Sequence, residues 1–318
     1  MATDIASLDT PVLGRETVGK ALTPGQLIWR RFLKHRMAVA GMISFTLLML
    51  FIILGSFYIS EKEANAVDLQ IRLSAPSQEH WFGTDDTGRD IFSRIIHGGQ
   101  ISLFVGLTAV TLSVTLGTLI GGLAGYFGGW LDTILMRFTE AMLSIPQLFL
   151  LIVLGKFIGR NIDTITLFGK TVSGSVLIVI CVIGLTSWMA LARIVRANVL
   201  SLKEMDYVSV STSLGSSKLR TFFKHLIPNT MGVIIVASTL GLAGAILNEA
   251  YVSFLGLGIQ SPTASWGNML TAAQTYVQKG SWWMWVSPST FIILTILSVN
   301  LMGDGLRDAF DPRSNRHL

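Results

Sequence analysis

Four stretches of the chain, Met37 to Ser60, Thr171 to Ala192, His225 to Asn248 and Gly280 to Gly303, contain no Asp, Glu, Lys or Arg. A bilayer is crossed by about 20 apolar helical residues, so each stretch predicts a transmembrane helix. The uncharged run between Arg94 and Asp132 is too long for one span. It fits a helix over Ile101 to Tyr126 whose preceding residues stay on the surface. A sixth span is expected near Thr133 to Leu154, although Arg137 and Glu140 lie near one end and Pro146 lies inside it. The pattern therefore predicts an all-α polytopic membrane protein with six transmembrane helices. The leader ahead of the first span is polar and lacks a small-residue cleavage site, so that span is expected to persist as a helix.

Composition agrees with this. Hydrophobic residues make up 51% of the 318 residues and charged ones only 14%, against roughly 25% charged in soluble domains. Lys and Arg favour the cytoplasmic flanks of spans. With the N-terminus inside, the inner flanks hold twice as many basic residues as the outer loops. The loop with Lys156, Arg160 and Lys170 pulls the other way, but the regions around Arg30 to Arg36 and Lys203 to Lys224 outweigh it. Both termini are then expected in the cytoplasm. The net charge of +5 sits at span ends, which points to anionic lipid rather than nucleic acid. Cys181 is the sole cysteine and lies in an apolar span, so no internal disulfide can form.

Between the spans, Thr23 and Pro24 have the chemistry of a helix N-cap and first turn. Apolar Leu27, Ile28, Trp29, Phe32 and Leu33 then interleave with Arg30, Arg31 and Lys34, predicting an amphipathic interfacial helix. In the outer loop, Thr87 and Asp90 have capping-box spacing ahead of Ile91, Phe92, Ile95 and Ile96, which predicts a short helix. Asp85, Asp86 and Asp90 suggest calcium, but the alternating ligands and closing Glu of a calcium loop are missing. Helix capping and pairing with Arg89 and Arg94 explain them better, and no metal site is expected. Gly117, Gly121 and Gly125 form a small-residue stripe for close helix packing, inside the subunit or at a dimer interface. Glu249 stands in an apolar context, where an ionisable group faces a cavity, a partner or the interface. It is a candidate for a translocation path or for an outer headgroup position. Glu140 has Arg137 three residues away as a partner. Trp282, Trp283 and Trp285 read as an outer aromatic belt, and QSPTASWGNML reads as an ordered outer loop or re-entrant turn.

No phosphate-binding loop of the GxxxxGK[ST] type and no GxSxG, HExxH or CxxC pattern occurs, so neither a nucleotide site nor an enzyme constellation is expected. The polar segment DYVSVSTSLGSSKLRTFFKHLIPN, Asp206 to Asn229, lies between two spans on the expected inner face.

Four motifs, FGTDDTGRDIFSRIIHGGQISL, GLAGYFGGWLD, the Asp206 to Asn229 segment and NLMGDGLRDAFDPR, resemble the permease subunits of ABC importers for dipeptides and oligopeptides. The resemblance is to their C-type subunits and covers about residues 23 to 313. It implies a type I importer permease fold. The expected organisation is an N-terminal leader over 1–36, a first span and outer loop over 37–100, a permease domain over 101–306 and a tail over 307–318. The coupling loop falls at about 203–229. The resemblance makes that loop the site where an ATPase subunit docks. Asp206, Tyr207, Ser209, Ser211, Leu214, Gly215, Leu219, Phe222, Pro228 and Asn229 are its candidate residues, with Phe223 adding apolar contact. Ser209 stands where the family usually has a Glu, which removes one carboxylate from the docking surface. The resemblance further implies a homologous B-type permease partner in a heterodimer, two ATP-binding subunits that use ATP and Mg, and an extracytoplasmic binding protein. No cofactor is bound by this chain itself. Glu249, Tyr251 and Phe254 are candidate lining residues for alternating access. Related permeases for nickel chelates or glutathione share these motifs. A self-sufficient secondary transporter would need inverted repeats and charges in both halves, whereas one central acid and no clear repeat are visible.

Overall fold

A computed structural model describes residues 23–158, 164–167 and 170–311. Arg15, Lys20, Arg160, Arg313 and Arg316, and with them most of the leader and tail, lie outside the described residues. Helix α1 (Pro24–Lys34) begins as expected: Thr23 caps it, and Gln26 reaches back to the Thr23 N–H in a full capping box. His35 ends α1 and caps α2 (Arg36–Tyr58), its imidazole accepting from the Ala38 N–H. Phe32 is buried against Ala38 and Ala309, while Leu27, Trp29 and Leu33 are exposed.

After a short helix α3 (Glu61–Ala64), helix α4 (Ile91–Phe127) runs 37 residues without a break. The surface segment expected before Ile101 is therefore part of the span, and the division at residue 100 falls inside a helix. The cause is packing. A side chain at Gly99 would press on Ile52 and Trp266, so the Gly98–Gly99 pair marks close approach and not a turn. The cap is Asp90, which accepts from the Ser93 N–H; Thr87 instead donates to Asp85.

The sixth span is bent. Helices α5 (Gly129–Leu143) and α6 (Gln147–Ile158) meet at 87° across Pro146, which has no N–H to continue the ladder. A two-stranded antiparallel hairpin, β1 (Thr164–Leu167) and β2 (Lys170–Ser173), then precedes helix α7 (Ser175–Lys203). The fourth span thus starts at Ser175, and Thr171 belongs to a strand. Helices α8 (Asp206–Ser213) and α9 (Lys218–Thr221) lead through a π-turn at Phe222–Leu226 into α10 (Ile227–Phe254). Helix α11 (Trp266–Ala273) and α12 (Trp283–Phe310) close the chain. Five described helices are long and apolar enough to span a membrane, and the bent pair supplies a sixth.

Helices α4 and α7 form the centre. Methyl groups at Gly117 and Gly125 would lie 2.9 Å from Trp188 O and 2.8 Å from Arg196 O, and one at Gly121 would overlap the Ala192 carbonyl. The glycine stripe is thus an internal seam that lets two backbones touch. At one end of this seam the Arg196 guanidinium grips Asp132 with two bonds of 2.5 and 2.7 Å, tying α5 to α7. Helix α12 packs on α2 and α10 and is tied to the far end of the molecule by Trp283, whose Nε1 donates to Thr84 O at 3.1 Å. Trp283 is buried, so the aromatic belt reduces to the exposed Trp282 and Trp285.

Candidate functional site

The segment between α7 and α10 lies on the same face of the molecule as α1. Helix α8 starts with Asp206 in its first turn, where a carboxylate favours the positive end of the helix dipole. It stops at Gly215, whose φ of +80° is natural to glycine. Ser216 N–H donates to Ser211 O and Gly215 N–H to Thr212 O, so the helix end is fully paired in a Schellman motif. Ser217 then caps α9. Pro228 cannot donate, and the turn ahead of it widens so that the Ile227 N–H reaches Phe222 O. Asn229 Nδ2 donates to His225 O at 2.6 Å.

The loop has two sides. Val208 and Phe222 are buried with Tyr126, Val199 and Leu226 and fasten the loop to the core. A surface role for Phe222 is thereby corrected: its ring is fully enclosed between Tyr126 and Phe223 and meets Gly122. Tyr207, Val210, Leu214, Leu219 and Phe223 are exposed, with Leu214 83% accessible. Ser209, Pro228 and Asn229 are also exposed and Ser211 is half-buried. A cavity of about 530 Å³ beside the loop is walled by Tyr126, Lys203, Asp206, Ser209, Thr212 and Lys218 among others. The segment thus presents an exposed apolar patch on one side and is packed into the core on the other.

At the opposite end of the molecule, Glu249 is fully buried. Ser102 Oγ donates to its Oε2 at 2.9 Å and Ser253 Oγ to its Oε1 at 2.8 Å. Each hydroxyl oxygen in turn accepts a backbone N–H, Ser102 from Trp266 and Ser253 from Ile259. The carboxyl therefore ties α4, α10 and α11 together, and Trp266 adds a 3.0 Å bond to Ile95 O. The expectation that Glu249 lines a path or sits among headgroups is corrected to an interior one. Tyr251 and Phe254 are exposed and do not join it. At 3.6 residues per turn, positions 249 and 251 point to opposite sides of α10. Sequence reasoning missed Ser102, Ser253 and Trp266, because no local pattern joins serines 151 positions apart.

The loop ahead of α4 is organised by Asp85. Its Oδ1 accepts from Thr87 N, Thr87 Oγ1 and Arg89 N, and its Oδ2 from Arg89 Nε at 2.7 Å, with Arg94 Nε at 3.8 Å. Burial pushes the Asp85 carboxyl up, but the Arg89 guanidinium and these hydrogen bonds outweigh it and hold it below the ordinary carboxylate value. Burial and the adjacent Asp85 push Asp86 up instead. Asp85 is thus taken up by loop hydrogen bonds and the Arg89 ion pair, and Asp90 by the cap of α4. Arg137 and Glu140 pair at 3.2 Å on the surface.

The described chain is a bundle of helices long and apolar enough to cross a membrane, with an exposed segment between α7 and α10. The family model for the inner membrane component of binding-protein-dependent transport systems matches residues 117–316, and that for the N-terminal transmembrane domain of oligopeptide transport permease C matches residues 23–76. The chain is 40% identical to a dipeptide transport system permease protein of Bacillus subtilis over 93% of this chain and 88% of that one. It is 41% identical to a putative peptide permease protein of Brucella suis, covering 89% of each. An oligopeptide transport system permease protein of Haemophilus influenzae is 38% identical, with 91% of this chain and 90% of that one covered. This chain belongs to the family of binding-protein-dependent transport system inner membrane components. It is a transport permease and not an enzyme.

Proposed function

We infer that this chain is the C-type subunit of a type I ABC importer for dipeptides or oligopeptides. It pairs with a homologous B-type permease, two ATPase subunits and an extracytoplasmic binding protein, and both its termini are cytoplasmic. The peptide cargo is supported by the relatives, which are named for peptides, dipeptides and oligopeptides. The observation that carries the coupling role is the α8 loop: an apolar knob of Tyr207, Val210, Leu214, Leu219 and Phe223 on a backbone locked by Gly215. Apolar side chains held rigidly in water gain by burial, roughly 25 cal/mol per Å², and an ATPase surface supplies it without the carboxylate that Ser209 lacks. Closure of the ATPases on ATP and Mg then pushes on α8, and the continuous α9–α10 path carries that push into the spans. Tyr251 and Phe254, exposed on α10, are the proposed lining residues.

The test is Gly215→Arg in the assembled importer. The expected result is normal membrane insertion with loss of ATPase co-purification and of ATP-driven peptide uptake. Unchanged co-purification and uptake would overturn the docking assignment, and uptake by the purified chain alone in liposomes would overturn the subunit reading itself.

A further inference from the structure

A cavity of about 240 Å³ opens between the loop ahead of α4 and the segment after α10. Its wall carries Asp85, Arg89 and Arg94 on one side, Gln260 and Met269 on another, and Met284 from α12. The wall itself carries two guanidiniums and one carboxylate, while Asp86 acts on both guanidiniums from outside the lining. Asp85 is the sole carboxylate on the wall and its hydrogen-bonding capacity is filled by Thr87 and Arg89. Arg94 is 4% exposed, stands 3.8 Å from that shared carboxylate, and has one hydrogen bond, from Nη1 to Asn65 Oδ1 at 3.0 Å. Asp90 is committed to Ser93 and His80 and does not line the cavity. A nearly buried guanidinium with no carboxylate in hydrogen-bonding contact is an expensive arrangement, and an entering anion would complete it. Carboxylate is the anion that matches a guanidinium fork. The rest of the wall suits a short peptide. Gln260 spends its amide nitrogen on Gly256 O and Gly258 O, which leaves its carbonyl oxygen to accept a peptide N–H. Met269 and Met284 supply adaptable apolar surface.

We propose that this cavity is a subsite for the terminal carboxylate of the transported peptide, held by Arg94 and Arg89. The proposal rests on the peptide-importer reading and adds to it where, in this subunit, the cargo is recognised. The neighbouring Glu249 network fixes the wall, since Ser253 and the backbone of Ile259 belong to both.

The experiment replaces the sole cysteine, Cys181→Ser, and places a reporter in the wall, Ala272→Cys. The assembled importer without its binding protein, so that the binding protein's own selectivity plays no part, is labelled with a maleimide in the presence of dialanine, dialanine amide or acetate. Dialanine is expected to slow labelling. Protection by the amide should need at least about tenfold higher concentration, as fits a lost charge-assisted hydrogen bond, acetate should protect weakly, and Arg94→Gln should abolish protection. Equal protection by the amide, equal protection by acetate, or none by dialanine would overturn the subsite. The ligand comparison needs no change at Arg94, so it decides even if Arg94→Gln does not fold. ATP-driven uptake of dialanine, measured in parallel on the importer with its binding protein, separates the two readings. Uptake without protection removes the subsite alone, whereas absence of uptake of any di- or oligopeptide removes both.

Discussion

Gly121→Ala adds one methyl group at the tightest point of the α4–α7 seam. The new Cβ would sit on the Ala192 carbonyl, 2.8 Å from its carbon and 2.9 Å from Ala192 Cα, all of them backbone atoms that no rotamer change can move. Carbon atoms attract best at about 3.5–4.0 Å, so the carbon contacts alone require the two helices to part by about 0.7 Å and the closer Ala192 oxygen requires more. A gap of 0.5–1 Å forfeits a quarter to a half of each dispersion well along the seam. Overpacking of this kind costs about 1–3 kcal/mol, set against the roughly 0.5–1 kcal/mol that Ala gains over Gly in a helix. A methyl group on Gly244, in α10, would meet nothing within 4 Å, so Gly244→Ala should keep that gain. The measurement is thermal unfolding of the detergent-solubilised chain, followed by size-exclusion of the surviving fraction. Gly121→Ala should unfold at lower temperature than the unaltered chain and Gly244→Ala at the same or a higher one. Equal melting of the two variants would refute the account of the stripe as a backbone contact.

Asp85→Asn should destabilise the outer loop and Asp86→Asn should not. A depressed carboxyl such as Asp85 contributes stability above its unfolded value and loses it as pH falls through the folded one, whereas the raised Asp86 costs stability once pH exceeds its unfolded value. Proteolysis of the loop between α2 and α4 as a function of pH reads both signs. Glu249→Leu leaves the hydroxyls of Ser102 and Ser253 without an acceptor, at about 1–3 kcal/mol for a stranded buried group. Hydrogen exchange in α11 should rise in that variant, and unchanged exchange would separate Glu249 from the anchoring of α11. Asp132→Asn removes one charge from a bidentate pair and should loosen α5 from α7, seen as faster labelling of cysteines introduced on the α5 face that carries Met142 and packs against Trp188 and Met189 of α7.

The membrane class, four of the spans and the Thr23 cap were legible because they depend on short-range rules: uninterrupted apolar length, and a hydroxyl followed by Pro. The polar segment from Asp206 to Asn229 was legible as an interruption, with its turn at Gly215. Phe222 was misread as surface because one aromatic in a polar segment looks the same whether it faces a partner or the core. The short helix expected at Ile91 and the span expected from Ile101 are one helix, because close packing of Gly99 on Ile52 and Trp266 lets the chain continue through the glycines.

Uninterrupted apolar length by itself determined that this chain crosses a membrane repeatedly and carries a polar, Gly-punctuated segment between two spans. Tertiary structure alone decided which helix the Gly117 to Gly125 stripe meets, that Pro146 bends a span by 87°, and that Glu249 is a buried tie between helices. The reason is that a residue's partner across a helix bundle is fixed by how the helices pack, and positions as far apart as Ser102 and Trp266 carry no mark of that meeting in the sequence between them.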